Sequence, residues 1–197
     1  MQINWYGTSC FKIIDQEVSV LTDPLSPEKS GLKNPRITSD IIILSSPEDG
    51  KNISSDAFVF KTAGEAEIKE VFIQGVVHFD KKIFKPLYKI TVEDLRICFL
   101  GELNEELSEE ELDKLGEVDV LLVPFNNKIL DFKKTKEIIN ALEPSLIIPS
   151  CWKNQKELFG FVKEIGLKIK EETDKLRIKK KDLSTEKTEL IVLKPGI

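Results

Sequence analysis

The feature that most constrains how this chain can fold is a change of rhythm near its middle. Through the first hundred residues the apolar side chains fall in short alternating or continuous runs. They cover Gln2 to Tyr6, Cys10 to Ile14, Val18 to Leu21, Asp40 to Leu44, Ala57 to Lys61, Ile68 to Phe79, Leu87 to Val92 and Leu95 to Leu100. Runs of this length and period read as strands, with Asp15-Gln16 and Glu93-Asp94 as tight turns between neighbours. The second half alternates instead. Helical patterns at about Ser108 to Leu115, Phe132 to Leu142 and Trp152 to Ile165 frame the apolar strands Val118 to Pro124 and Ser145 to Pro149, and strands return at the end. Strands first, then strand and helix in alternation, predict an α+β fold of two packed sheets with helices outside them rather than one doubly wound parallel sheet.

Local signals support these boundaries. The Ser108 hydroxyl can cap the helix that follows while Glu111, three residues on, closes a capping box, and Gly116 can stop that helix. Gly166 ends the helix near Trp152, whose Leu158, Phe161, Val162 and Ile165 form a stripe that sheet packing accounts for. There are no solenoid repeats and no low-complexity linker, and a chain of 197 residues with 41% hydrophobic and 32% charged residues fits one domain over 1–197.

Composition narrows the partners. The formal charge of -5 opposes a phosphate backbone, and the densest basic run, Lys175 to Lys181, alternates with Leu176 and Ile178 as a strand edge with solvated lysines would. Nucleic acid is therefore not an expected partner. The three cysteines, Cys10, Cys98 and Cys151, are odd in number and widely spaced, which fits a reducing cytoplasm better than a disulfide framework. No apolar run approaches a membrane span and the first residues lack a secretory pattern, so a soluble, unprocessed cytoplasmic protein is expected, with no membrane partner and oligomerisation left open.

Seven loop-end landmarks follow one another in order: Trp5-Tyr6-Gly7-Thr8-Ser9-Cys10-Phe11, Leu21-Thr22-Asp23-Pro24, Asp40-Ile41-Ile42-Ile43-Leu44-Ser45, Gly64-Glu65-Ala66-Glu67, Phe99-Leu100-Gly101-Glu102-Leu103, Asp119-Val120-Leu121-Leu122-Val123-Pro124 and Ile147-Ile148-Pro149. In this order they resemble the metallo-β-lactamase-fold Zn-dependent hydrolases, in particular the small branch related to ascorbate-phosphate lactonase. The resemblance spans Met1 to about Trp152 and implies a four-layer αββα sandwich. It also implies a binuclear zinc site, whose first ligands come from a His-x-His-x-Asp-His loop after Ser45.

The chain departs from that pattern at nearly every ligand. The loop reads Ser46-Pro47-Glu48-Asp49-Gly50-Lys51, so Ser46, Glu48, Gly50 and Lys51 replace the expected His, His, Asp and His. Glu102 stands for the bridging Asp, Cys151 for the late His, and Thr8 where these hydrolases usually carry His. The middle His falls on either His78 or Asp80. Asp23 resembles an Asp that supports the site from behind, although an Asp-Pro turn also explains it.

Two zinc ions in such enzymes lower the pKa of a bound water and polarise the scissile group. Gly50 offers no side-chain ligand and Lys51 brings a positive charge into a place built for dications. The residues therefore predict a vestigial pocket of Asp23, Ser46, Glu48, Lys51, His78, Asp80, Glu102 and Cys151. Its carboxylates would be compensated by one another and by Lys51, with no cofactor. A non-catalytic or altered module binding a small molecule or protein is the expected function. The alternative is a metal-dependent hydrolase of a phosphorylated or lactone-like small molecule, with one zinc rebuilt on Glu48, His78, Glu102 and Cys151. A third reading places an anion on Lys51. Each remaining group also has an ordinary explanation: His78 as a hydrogen-bonded group, Cys151, Cys10 and Cys98 as small buried side chains, and Glu65 and Glu67 in a turn without chemistry. No nucleophile elbow, P-loop or dinucleotide fingerprint competes.

Overall fold

The structure is a computed structural model that describes residues 1–24, 38–46, 56–125 and 130–196. Strands β1 (Gln2–Trp5), β2 (Phe11–Asp15), β3 (Val18–Thr22), β4 (Ile41–Ile43) and β5 (Phe58–Phe60) join β15 (Leu176–Arg177) in a six-stranded sheet of order β15-β1-β2-β3-β4-β5. The second sheet has eight strands. It contains β6 (Gly64–Ile68), β7 (Val71–Val76), β10 (Leu87–Val92), β11 (Leu95–Phe99), β12 (Val120–Pro124), β13 (Leu146–Ser150), β14 (Ile169–Thr173) and β16 (Glu189–Leu193), in the order β14-β16-β13-β12-β11-β10-β7-β6. A separate hairpin of β8 (Phe79–Asp80) and β9 (Ile83–Phe84) stands off both. Helices α1 (Glu109–Leu115), α2 (Phe132–Leu142) and α3 (Gln155–Ile165) follow β11, β12 and β13.

Alternation of side chains across each strand explains the layering. From β11, Ile97 and Phe99 face the other sheet while Cys98 faces the helices; from β12, Val120 and Leu122 face inward and Leu121 and Val123 outward; β13 and β16 repeat this. Strands buried on both faces read as continuous apolar runs for this reason. One core lies between the sheets, where Ile3, Phe11, Ile13, Val20, Ile41 and Ile43 meet Ile73, Ile90 and their neighbours. A second lies under the helices, with Phe125 stacked on Phe161 at 4.2 Å between ring centroids. A smaller cluster of Cys10, Leu21, Ile42 and Leu44 lies on the other face of the six-stranded sheet. No helix covers that face among the described residues.

The capping box at Ser108 and Glu111 forms as read, and Gly116 and Gly166 close their helices. Three readings change. The run from Ile68 to Phe79 is not one strand: Lys69 and Glu70 take φ of 49° and 64°, turning the chain from β6 into β7, and β7 ends before His78. The Gly64-Glu65-Ala66-Glu67 segment is strand β6, with Glu65 opposite Gln74 and Glu67 opposite Phe72, rather than a turn. The last helix begins at Gln155, because Asn154 accepts the Glu157 amide as its N-cap, so Trp152 stays outside it. Within Lys175 to Lys181, β15 is an edge strand, and Lys180, itself exposed, pairs with the buried Asp119, which Arg96 also grips.

Candidate functional site

The candidate pocket gathers where β3, β4, β11 and β13 end, because parallel strands deliver their following loops to one rim. Asp23 follows β3, Ser45 follows β4, Gly101 and Glu102 follow β11, and Cys151 follows β13. The Ser45 N–H and hydroxyl donate to the two Asp23 carboxylate oxygens at 2.7 and 2.5 Å. Gly101 closes over this pair. Its φ is +57°, and a Cβ there would overlap the Ser45 side chain.

Electrostatics and backbone both mark this rim as unusual. Burial pushes the Asp23 carboxyl up from 3.8 to about 6, against the opposing pull of its Ser45 and Ser9 hydrogen bonds, and the nearby Glu102 charge adds to the rise. Burial, with Glu102 and Asp23 adding, pushes the Cys151 thiol up to about 12. A thiol held so high is protonated at neutral pH when no cation lies beside it. Thr8, Asp23 and Cys151 all take left-handed backbone, with φ of 46°, 34° and 64°. Such conformations cost about 1–3 kcal/mol each and cluster at functional rims. The Cys151 N–H donates to the Thr8 carbonyl at 3.2 Å, which also accepts from the Trp5 indole at 2.9 Å. Trp152 packs against Trp5 with ring centroids 5.3 Å apart and planes tilted by 33°. Below the rim, the Tyr88 hydroxyl donates to the Leu44 carbonyl at 2.9 Å and ties the two sheets together.

Of the residues singled out from sequence, Asp23, Glu102 and Cys151 therefore share one electrostatic neighbourhood, and Ser46 follows Ser45 directly. Glu48, Gly50 and Lys51 lie outside the described residues, and so does the predicted pairing of Lys51 with Glu102 or Glu48. His78 and Asp80 form a second polar group. His78 Nδ1 meets Glu111 Oε1 at 2.7 Å, and Asp80 accepts from Asn104 and Lys85. Sequence reading missed Glu111 in this role because its capping function explained it fully. Asn104 and Lys85 carried no signal at all.

These donors do not fit the zinc pair that the fold implies. Asp23 is clasped by Ser45, the groups beside it are one thiol, Cys151, and one exposed carboxylate, Glu102, and none of the three is a histidine. Among the described residues no three His, Cys, Asp or Glu side chains gather into a set able to hold a metal ion.

Comparison with known proteins places the fold. Residues 2–150 match the model of the beta-lactamase superfamily domain. The chain belongs to the beta-lactamase superfamily. A protein from Thermotoga maritima assigned to the Zn-dependent hydrolases of the metallo-beta-lactamase superfamily aligns with this superfamily member over 98% of each chain. It does so at 25% identity and a TM-score of 0.81. The metallo-beta-lactamase fold protein YhfI from Bacillus subtilis covers 100% of this chain and 98% of its own at 12% identity and a TM-score of 0.64. The isothiocyanate hydrolase from Delia radicum gut bacteria does the same at 11% and 0.64. A comparison with curated proteins found no match. The α+β sandwich is thus that of the metallo-β-lactamase fold, and the chain is a hydrolase-like member of the superfamily. No described helix is long and apolar enough to cross a membrane.

Proposed function

We propose that this superfamily member is a binding module whose ancestral two-zinc pocket has been rebuilt as a self-compensating polar pocket, non-catalytic or altered in its chemistry. The observation that carries this reading is the clasp of Ser45 on Asp23 under Gly101. The carboxylate that would support a metal centre from behind has both oxygens occupied by Ser45. The Asp23 carboxyl near 6 and the Cys151 thiol near 12 both reflect burial among acidic neighbours. Glu102 and Asp23 leave the described part of the pocket acidic, which favours a ligand bearing hydroxyl or amine donors.

The alternative, hydrolysis of a phosphorylated or lactone-like compound by one zinc, needs Cys151 as a thiolate with His78 and Glu102 beside it, and among the described residues no three such side chains gather. The test is turnover. Zinc-supplemented protein is assayed with a chromogenic phosphodiester and a simple lactone, beside the Cys151→Ser variant. No zinc-dependent turnover by the wild type supports the reading. Zinc-dependent turnover abolished by Cys151→Ser overturns it.

A further inference from the structure

Protection of a sheet edge accounts for only part of the basic run Lys175 to Lys181. Lys180 pairs with Asp119, but among the described residues Arg177, Lys179 and Lys181 have no ion-pair partner. All three line one cleft of about 480 Å³, together with Gln2, Ile14 and Ile178. Lysines blunt an edge wherever they stand in solvent, whereas these cations converge on a concavity. Its volume falls within the range of small-molecule sites, roughly 300–1,000 Å³.

The register of the six-stranded sheet builds this cleft. Gln2 of β1 stands opposite Arg177 of β15 on one side and Ile14 of β2 on the other. The Ile178 N–H donates to the Met1 carbonyl at 3.2 Å and carries the ladder past the end of β15. Ile3, Ile13 and Leu176 point into the core between the sheets, so alternation sets Gln2, Ile14 and Arg177 on the outer face. The Gln2 side-chain amide donates to Asn4 Oδ1 at 2.8 Å, and its oxygen accepts from Arg177 Nε at 3.2 Å. The guanidinium is thereby held through Nε, and among the described residues its two terminal nitrogens have no partner. Both carboxylates at the cleft are already engaged, Asp15 with the Met1 ammonium at 3.7 Å and Asp182 with the Lys179 N–H at 2.9 Å. Unpaired cations thus gather at one place in a chain whose formal charge is -5. Like charges held side by side repel one another, and a concave wall focuses their field on whatever enters.

We propose that this cleft binds a phosphorylated small molecule, with the phosphate on Arg177, Lys179 and Lys181 and the organic body against Ile14 and Ile178. A guanidinium offers parallel N–H donors that match two phosphate oxygens. A carboxylate fits the same fork, but its single charge leaves the two lysines uncompensated. A phosphate monoester carries close to two charges at neutral pH and has a third oxygen to offer them. The cleft lies away from the Asp23 rim. The Phe11 N–H at the start of β2 donates to the hydroxyl of Thr22, the neighbour of Asp23, while Asp15 at the other end of β2 lines the cleft, about 13 Å along the strand. The site therefore goes beyond the function proposed for the Asp23 pocket and does not depend on it.

The experiment titrates phenyl phosphate into the isotopically labelled full chain, near neutral pH and at physiological ionic strength, and follows the amide NMR shifts. Saturable shifts are expected at Gln2, at Ile14 to Gln16 and at Arg177 to Asp182. Inorganic phosphate lacks the body and phenyl sulfate lacks the second charge, so each should bind more weakly. Arg177→Gln should weaken phenyl phosphate about tenfold, and Lys179→Gln and Lys181→Gln about threefold each. Arg177→Lys keeps the charge but loses the fork, and should also weaken binding. Lys175→Gln, in the same run but outside the cleft, should bind as the wild type does. All four positions are exposed, so folding is not at stake. The absence of saturable shifts overturns the proposal, as do shifts centred on the Asp23 rim or equal losses in Lys175→Gln and Arg177→Gln. Tighter binding of citrate than of phenyl phosphate overturns it in favour of a polycarboxylate. Binding to phosphatidylserine vesicles without binding to phenyl phosphate overturns it in favour of a membrane surface.

Discussion

Replacing Asp23 by Asn should stabilise the protein, and only above a definable pH. The folded chain holds its Asp23 proton up to about 6, whereas the unfolded chain releases it near 3.8. Between those values the native state binds more protons than the unfolded state, so stability falls as pH rises. The gap corresponds to about 3 kcal/mol, at 1.36 kcal/mol for each pH unit. Below pH 3.8 the group is neutral in both states and contributes no such loss. Asn keeps an oxygen for the Ser45 amide and can turn its NH2 toward the Ser45 hydroxyl, so the clasp survives in uncharged form. Urea denaturation of the wild type and Asp23→Asn at pH 4, 5, 6 and 7.5 isolates this one group, because every other ionisable side chain cancels in the difference. The variant should exceed the wild type by no more than about 0.6 kcal/mol at pH 4 and by about 3 kcal/mol at pH 7.5, the latter about 6–12 °C in melting temperature for a chain of this size. A difference that does not change with pH would refute the argument, as would a variant favoured at pH 4 and not at 7.5.

Gly101→Ala should cost more than about 3 kcal/mol in the same denaturation assay, since it sets a Cβ into Ser45 and forces an L side chain to φ +57°. Asp119 is held at about 2: burial opposes, but Arg96 and Lys180 prevail. Its contribution is therefore present above 3.8 and lost as pH falls toward 2, and Asp119→Ala should cost about 3–5 kcal/mol at pH 7 by stranding Arg96. Tyr88→Phe should cost about 1–2 kcal/mol by leaving the buried Leu44 carbonyl unmet. Phe79→Ser and Ile83→Ser on the exposed side of the β8–β9 hairpin should change stability by no more than about 0.5 kcal/mol, measured by thermal melting.

The sheets were legible because their strands are buried on both faces or alternate strictly, and the helices because Ser108 and Gly166 mark their ends. The hairpin between β6 and β7 was hidden because Lys69 and Glu70 make the turn with left-handed backbone that neither residue type advertises. Loop order exposed the superfamily, since Asp23, Ser45, Gly101 and Cys151 fall at strand ends whatever their chemistry. Contacts across the fold were not legible. Asp23 and Ser45 are 22 residues apart and His78 and Glu111 are 33 apart, so no local pattern links them. Glu111 had a sufficient local role, and that concealed its second one.

X-ray absorption at the zinc edge tests the central claim most directly. If the pocket of Asp23, Glu102 and Cys151 no longer binds zinc, protein equilibrated with zinc should show no sulfur scatterer, with at most one equivalent bound. A sulfur scatterer at about 2.3 Å would place Cys151 on the metal and contradict the account, as would two ions per chain.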